Sequence, residues 1–192
     1  MKVCFTTNNS HKLQEVKEIV GDSIELLSLS DIGFTGEIPE THETLEENSL
    51  EKAQYIFNRF NIPVFSDDSG LEVKSLGMKP GVHTAHYSGS RDAVDNMTKV
   101  LSEIQGENDR TAQFRAVMTY IDGSGNAQQF EGIVEGSIAL KMSGAEGFGY
   151  DPIFIPEGHS KTFADLSSEI KNQISHRKRA LSKLVGYLQN NS

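Results

Sequence analysis

Cysteine is almost absent from these 192 residues: Cys4 stands alone. Without a partner it cannot belong to a disulfide scaffold, and a lone thiol suits a reducing compartment. Long apolar runs are missing too. No stretch reaches the roughly 18 apolar residues that a transmembrane helix needs. The opening MKVCFTTNNSHK lacks the apolar run of a signal peptide. Positive charge is in deficit, with 18 Lys and Arg against 27 Asp and Glu, a net charge of −9. An acidic chain has no overall electrostatic footprint for duplex nucleic acid or an anionic membrane. A small polyanion stays within reach if a local basic cluster or a metal ion reverses the sign. These absences predict a cytoplasmic protein with neither nucleic acid nor membrane as partner.

Repeats, low-complexity tracts and a linker between two halves are also missing. What is present is enough apolar residue, 36% of the chain, for a folded core. A chain of this length buries about 70% of its unfolded surface and needs no staples. It reads as a single domain over residues 1–192.

Apolar spacing gives the elements. Val3 to Phe5 reads as a buried strand, followed by a helix striped by Leu13, Val16, Ile19 and Val20 that Gly21 stops. A second strand spans residues 24–29. Thr44 and Glu47 form a capping box before a helix striped by Leu50, Ala53, Ile56, Phe57 and Phe60. Val64-Phe65 opens another strand, which Asp67 to Gly70 interrupts and Leu71 to Val73 resumes. Ser90 caps a third helix with Val94, Met97, Leu101 and Ile104 inward. Residues 112–121 and 129–140 form two strands joined by the turn chemistry of Asp122-Gly123-Ser124-Gly125-Asn126. A last helix runs from His176 to Leu188, its stripe Ala180, Leu181, Leu184, Val185 and Leu188. This order predicts an α/β protein with a mixed sheet.

Five constellations could carry chemistry, and each also has a plain structural reading. Thr7-Asn8-Asn9-Ser10-His11-Lys12 lies between a strand and a helix. The positive end of a helix dipole suits phosphate there, with Lys12 adding a point charge, or the segment is an ordinary cap. Asp67 and Asp68 follow a buried strand, where carboxylates are costly unless paired or metal-bound. Successive residues of extended chain face opposite ways, so the two have different jobs. The plain alternative is an Asp-rich surface turn. Glu47 is a capping residue or a ligand for a hard cation such as Mg²⁺. In Gly147-Phe148-Gly149-Tyr150-Asp151-Pro152, Phe148 could stack on a planar base, and Pro152 should hold Asp151 extended. The alternative is a tight turn. Finally, Lys171 precedes Ser175-His176-Arg177, with Ser175 a plausible helix N-cap. Cations in a first turn are electrostatically misplaced unless an anion or carbonyl meets them. His83 and His86 form a spacing too sparse for a zinc site.

Together these motifs resemble the inosine triphosphate pyrophosphatase family, the noncanonical purine NTP or XTP/dITP diphosphatases. The matching residues are Thr7-Asn8 with Lys12, Ser66-Asp67-Asp68-Ser69-Gly70-Leu71, Pro80-Gly81-Val82, Phe148-Gly149-Tyr150-Asp151-Pro152, Lys171 and Ser175-His176-Arg177. One departure is Thr84-Ala85-His86-Tyr87, where members often carry Arg in place of His86. The resemblance implies a two-lobed α/β fold with a long central mixed sheet and a substrate cleft between lobes. It further implies a homodimer, dependence on Mg²⁺, and hydrolysis of ITP, dITP or XTP to the monophosphate and pyrophosphate. Carried over, Asp68 becomes general base and metal ligand, and Glu47 a second metal ligand. Thr7, Asn8, Lys12 and Lys52 would hold the triphosphate and Ser69 would touch substrate. Phe148, Asp151, Lys171, His176 and Arg177 would form the nucleoside end, where donors on His176 and Arg177 favour a 6-oxo purine over adenine. A pyrophosphatase for modified pyrimidine triphosphates and a non-catalytic nucleotide sensor are the competing readings.

Overall fold

The computed structural model describes residues 2–20 and 24–190. In chain order the elements are β1 (Lys2–Phe5), α1 (Ser10–Val20), β2 (Glu25–Leu27), α2 (Leu45–Phe60), β3 (Val64–Val73) and β4 (Lys79–Pro80). There follow α3 (Ala93–Glu103), β5 (Thr111–Ile121), β6 (Ala127–Ile138), β7 (Phe154–Pro156), α4 (Ser168–Ile174) and α5 (His176–Asn190). The strands join in the order β2-β1-β3-β5-β6-β7, with β4 on β3. Strand β1 is parallel to β2 and β3, whereas β4 and β7 run antiparallel to β3 and β6. The class is therefore mixed α/β, as expected.

Several expectations need correction. Strand β3 runs unbroken through Asp67 to Gly70. Turn-forming residue types do not break it because helices on both faces supply cations for its carboxylates. Asp92, not Ser90, caps α3, accepting from the N–H groups of Val94 and Asp95. That shift puts Val94 in the exposed first turn and leaves Met97, Val100 and Ile104 as the buried stripe. On α2 the buried face is Leu45, Asn48, Ser49, Lys52, Ala53 and Ile56, and Leu50 is exposed. Asp151 opens a 3₁₀ turn with Pro152 in its first positions, where no N–H is required, rather than lying extended. Ser175 ends α4, its N–H donating to Lys171 O, and also directly precedes α5, the N-cap position expected of it. The stop expected at Gly21 lies outside the described residues. Elements β4, β7 and α4 escaped the sequence reading because two, three and seven residues carry too little periodicity.

The chain divides into two compact units. The first comprises residues 1–68, 116–132 and 177–192, and the second 69–115 and 133–176. In the first unit, Val3, Phe5 and Phe65 pack with Val16 of α1 and Leu181 and Leu184 of α5. The opposite strand faces, Cys4, Val64 and Ile121, pack with Ala53 and Ile56 of α2. In the second unit, Leu71, Val73, Phe114 and Phe154 pack with Met97, Val100 and Ile104 of α3. The unit boundary crosses the chain between Asp68 and Ser69 and again between His176 and Arg177.

Candidate active site

The alternation of β3 decides what each carboxylate meets. Phe65 and Asp67 share the face covered by α1 and α5. Asp67 Oδ2 lies 2.9 Å from Lys12 Nζ and 3.4 Å from Arg177 Nε. Burial alone would raise the Asp67 carboxyl, but Lys12, Arg177 and Lys52 outweigh it and hold the group well below the usual carboxylate range. Arg177 is only 3% exposed. The anion that compensates this cation in the first turn of α5 is thus a side chain of the chain itself.

Val64, Ser66 and Asp68 share the other face, against α2. Asp68 Oδ1 lies 3.5 Å from Lys52 Nζ. Here burial prevails. It raises the Asp68 carboxyl above its ordinary value, Lys52 and Lys12 pull it down, and Glu40 and Asp67 push it up again. Lys52 is itself buried, which disfavours its charge, yet Asp68, Asp67 and Glu40 together raise its proton affinity. It therefore stays an ammonium. Adjacent carboxylates thus differ in kind. Asp67 is a fixed anion, and Asp68 has gained affinity for a proton, the property a base needs.

Helix α2 brings Lys52 to this point. Thr44 caps it, accepting from Glu47 N–H at 3.2 Å. Glu47 is exposed, and its carboxylate accepts from the Thr44 hydroxyl at 2.8 Å. The carboxylate that the structure brings to Lys52 alongside Asp68 is Glu40, which sequence reading missed. Glu40 lies in irregular chain where no periodicity marks it. A hard cation takes oxygen ligands and is held by one or two carboxylates together with substrate phosphates. Asp68 and Glu40, gathered on one ammonium, fit that donor set. Among the described residues no group of three carboxylate, imidazole or thiol ligands forms.

The loop before α1 is held by its own side chains. Thr7 Oγ1 accepts from Asn9 N–H at 3.1 Å, and Asn9 Oδ1 from Lys12 N–H at 3.2 Å. Asn9 thereby caps α1. Asn8 donates to Gly36 O at 3.1 Å. Asn8, Asn9 and Ser10 are exposed and Thr7 half-buried, so this loop stays open to a ligand. The His11 side chain lies outside the description.

The second unit holds the other expected residues. Asp151 Oδ2 accepts from Phe148 N–H and from Lys171 Nζ, both at 2.7 Å. The same ammonium sits 4.5 Å over the Phe148 ring. Gly147 and Gly149 adopt φ of 81° and 63°, and a side chain on Gly147 would collide with Asp151. These glycines let the loop wrap the carboxylate. Tyr150 is buried, its hydroxyl donating to Thr84 O at 3.0 Å, so it anchors the turn. His176 is buried with its ring stacked 4.9 Å from Phe114. Ser69 is half-buried on β3. Phe148, Asp151 and Lys171 thus come together, whereas Arg177 sits with Asp67 and Lys12. A cavity of about 430 Å³ in this unit, bordered by Glu72, Gln113, Glu135 and Ile155, contains none of the expected residues.

The chain is similar over nearly its whole length to proteins of one family. A model described as the Ham1 family matches residues 3–187. A Porphyromonas gingivalis protein named dITP/XTP pyrophosphatase is 46% identical over 189 residues, covering 97% of each chain. A Bacillus subtilis protein of the same name is 45% identical, covering 96% of each. A solved structure described as the Staphylococcus aureus Ham1 protein has a TM-score of 0.92 and 35% identity, with 100% of both chains covered.

Proposed function

The chain belongs to the Ham1 family, and on that premise we propose that it hydrolyses dITP, XTP and ITP to the monophosphate and pyrophosphate. It is a nucleoside-triphosphate diphosphatase that removes noncanonical purines from the nucleotide pool. The observation that carries its chemistry is the unequal pair on β3. Asp67 is neutralised by Lys12 and Arg177, and Asp68 has raised proton affinity beside Lys52.

The reaction needs water to attack the α-phosphorus in line with the departing pyrophosphate. Charge spreads over oxygens, so catalysis is positioning plus electrostatics. Asp68 accepts the proton of the attacking water. Lys12 and Lys52 offset phosphate charge, with Thr7, Asn8, Asn9, Ser10 and His11 offering polar groups at the start of α1. Phe148 presents a ring face for the base, its turn fixed by Asp151, Lys171, Gly149 and Tyr150, and Ser69 and His176 complete the substrate contacts. Arg177 contributes through Asp67. Mg²⁺ is part of the proposal: when bound it neutralises phosphate oxygens and lowers the pKa of a bound water. Asp68 would hold it, with Glu40 on geometric grounds and Glu47 as the ligand the resemblance implies. A homodimer and a cytoplasmic location also belong to the proposal, supported by the family resemblance and by the unpaired thiol of Cys4.

The test is release of pyrophosphate across dITP, XTP, ITP, GTP, ATP and dTTP. Turnover concentrated on the first three supports the reading. Preference for dTTP or ATP, or binding without turnover, overturns it.

A further inference from the structure

Beneath the Asp68–Lys52 pair lies a buried polar network that the proposed chemistry does not use. Ser49, Ser66 and Thr119 are each 0% exposed. They come from three elements of the first unit: α2, β3 and β5. The Ser49 hydroxyl donates to Thr119 Oγ1 at 2.8 Å. The Ser66 hydroxyl donates to the backbone oxygen of Ser49, and the two seryl oxygens lie 3.1 Å apart. Gln129 of β6 extends the network. Its Nε2 donates to Thr119 Oγ1 at 3.0 Å and to Glu46 O, in the first turn of α2, at 2.9 Å.

Three hydroxyls at this depth are a costly choice where alanine and valine would pack. Buried polar groups contribute only when their hydrogen bonds are made, and a mispaired one is penalised. That asymmetry fixes one arrangement. The hydroxyls are satisfied only when α2 sits at one height along β3. Periodicity converts this into geometry for the reaction. Lys52 follows Ser49 by three residues, on the same face of α2. Asp68 follows Ser66 by two, on the same face of β3. Each member of the functional pair therefore stands one repeat beyond a member of the network.

We propose that Ser49, Ser66, Thr119 and Gln129 are positioning residues, whose hydrogen bonds set the height of α2 on β3 and so hold Lys52 against Asp68. This inference rests on reading Asp68 as the base. An apolar core at the same place would hold the helix as firmly but not at so restricted a height. A displacement of about 1 Å at a reacting pair costs up to roughly a hundredfold in rate. The defect should therefore appear in turnover more than in folding.

The experiment compares Thr119→Val, which keeps shape and deletes the acceptor, with Thr119→Ser, which keeps the hydroxyl. Gln129→Leu adds a variant at an exposed position, where loss of the fold is not at issue. Each is assayed for kcat and KM on dITP and for its urea midpoint. The expected result is a fall in kcat of about tenfold or more for Thr119→Val, with KM changed less than about threefold, and recovery in Thr119→Ser. Gln129→Leu should fall in the same sense by a smaller factor. In a Lys52→Met background, Thr119→Val should have no further effect on kcat, because the residue it positions is gone. Equal kcat for parent, Thr119→Val and Gln129→Leu, or losses that add fully to Lys52→Met, would overturn the inference. If Asp68→Asn is inactive in that same series, the reading of Asp68 survives its failure. An active Asp68→Asn enzyme removes both.

Discussion

Asp67 and Asp68 differ by one position on a strand and by everything in their surroundings. Asp67 is 2% exposed, with Lys12 and Arg177 on its carboxylate. Asp67→Asn strands two cations, one of them buried, and breaking such a pair costs about 3–5 kcal/mol. The Asp67 carboxyl is held well below the usual range. Its stabilisation is therefore complete above the unfolded value near 4 and is lost as pH falls below it. Urea melts should show the variant much weaker than its parent at pH 7, with the gap narrowing in acid. An equal gap at both pH values would contradict the assignment. Cys4 is the opposite case, a thiol with no charged partner to offset burial. Burial, with a smaller contribution from the Asp31 charge, pushes it up to about 12. Reaction with iodoacetamide at neutral pH should be undetectable in the folded protein and rapid in urea. Labelling of the folded protein would place Cys4 at the surface. That the two aspartates meet different surroundings was legible from strand alternation alone. Which cation meets which was not, because Arg177 is 110 residues away in sequence.

Strand β3 and helix α2 show what element-level reading catches and loses. The Thr44 cap with Glu47 was legible because it is a local pattern, and in the structure Thr44 Oγ1 accepts from Glu47 N–H while its hydroxyl donates to the Glu47 carboxylate. The polar inner face of α2 was not. Ser49 and Lys52 are buried because β3 and β5 offer them partners, and Asn48 because it bonds the His42 backbone, tertiary facts that hydrophobic periodicity cannot carry. Asp-Asp-Ser-Gly read as a break for the same reason. Within β3, Gly70 has a steric purpose: a side chain there would collide with the Gly81 backbone carbonyl. Thr84 Oγ1 also accepts the neighbouring Leu71 N–H at 2.9 Å, which holds the 3₁₀ turn of Gly81–His86 close to the strand. Gly70→Ala should therefore destabilise by about 1–3 kcal/mol, as overpacking does. A melting temperature unchanged from the parent would show that the turn yields without cost.

The whole molecule carries nine more negative than positive charges, yet its expected substrate is a polyanion. Local cations resolve this only in part, since Lys12, Lys52 and Lys171 each already face a carboxylate. A divalent ion arriving with the triphosphate supplies what they do not. Turnover should accordingly need added Mg²⁺ and cease in EDTA, returning when Mg²⁺ is restored in excess. Undiminished rates in EDTA would exclude the metal-dependent mechanism. The fold class and most elements were legible in the sequence because each rests on periodicity. Glu40 was not, since its place depends on contacts between distant segments, and the division of the chain into two units was legible only through the family resemblance, not from periodicity.

The central claim is that Asp68 takes the proton from the attacking water. It is tested most directly by the rate of pyrophosphate release from dITP by Asp68→Asn beside the parent enzyme, at saturating substrate and Mg²⁺. Loss of a general base lowers turnover by about 10²–10⁴-fold. The account predicts a fall in that range, with dITP affinity kept within about an order of magnitude, since the contribution is made in the transition state. An Asp68→Asn enzyme with more than roughly a tenth of the parent kcat would contradict it.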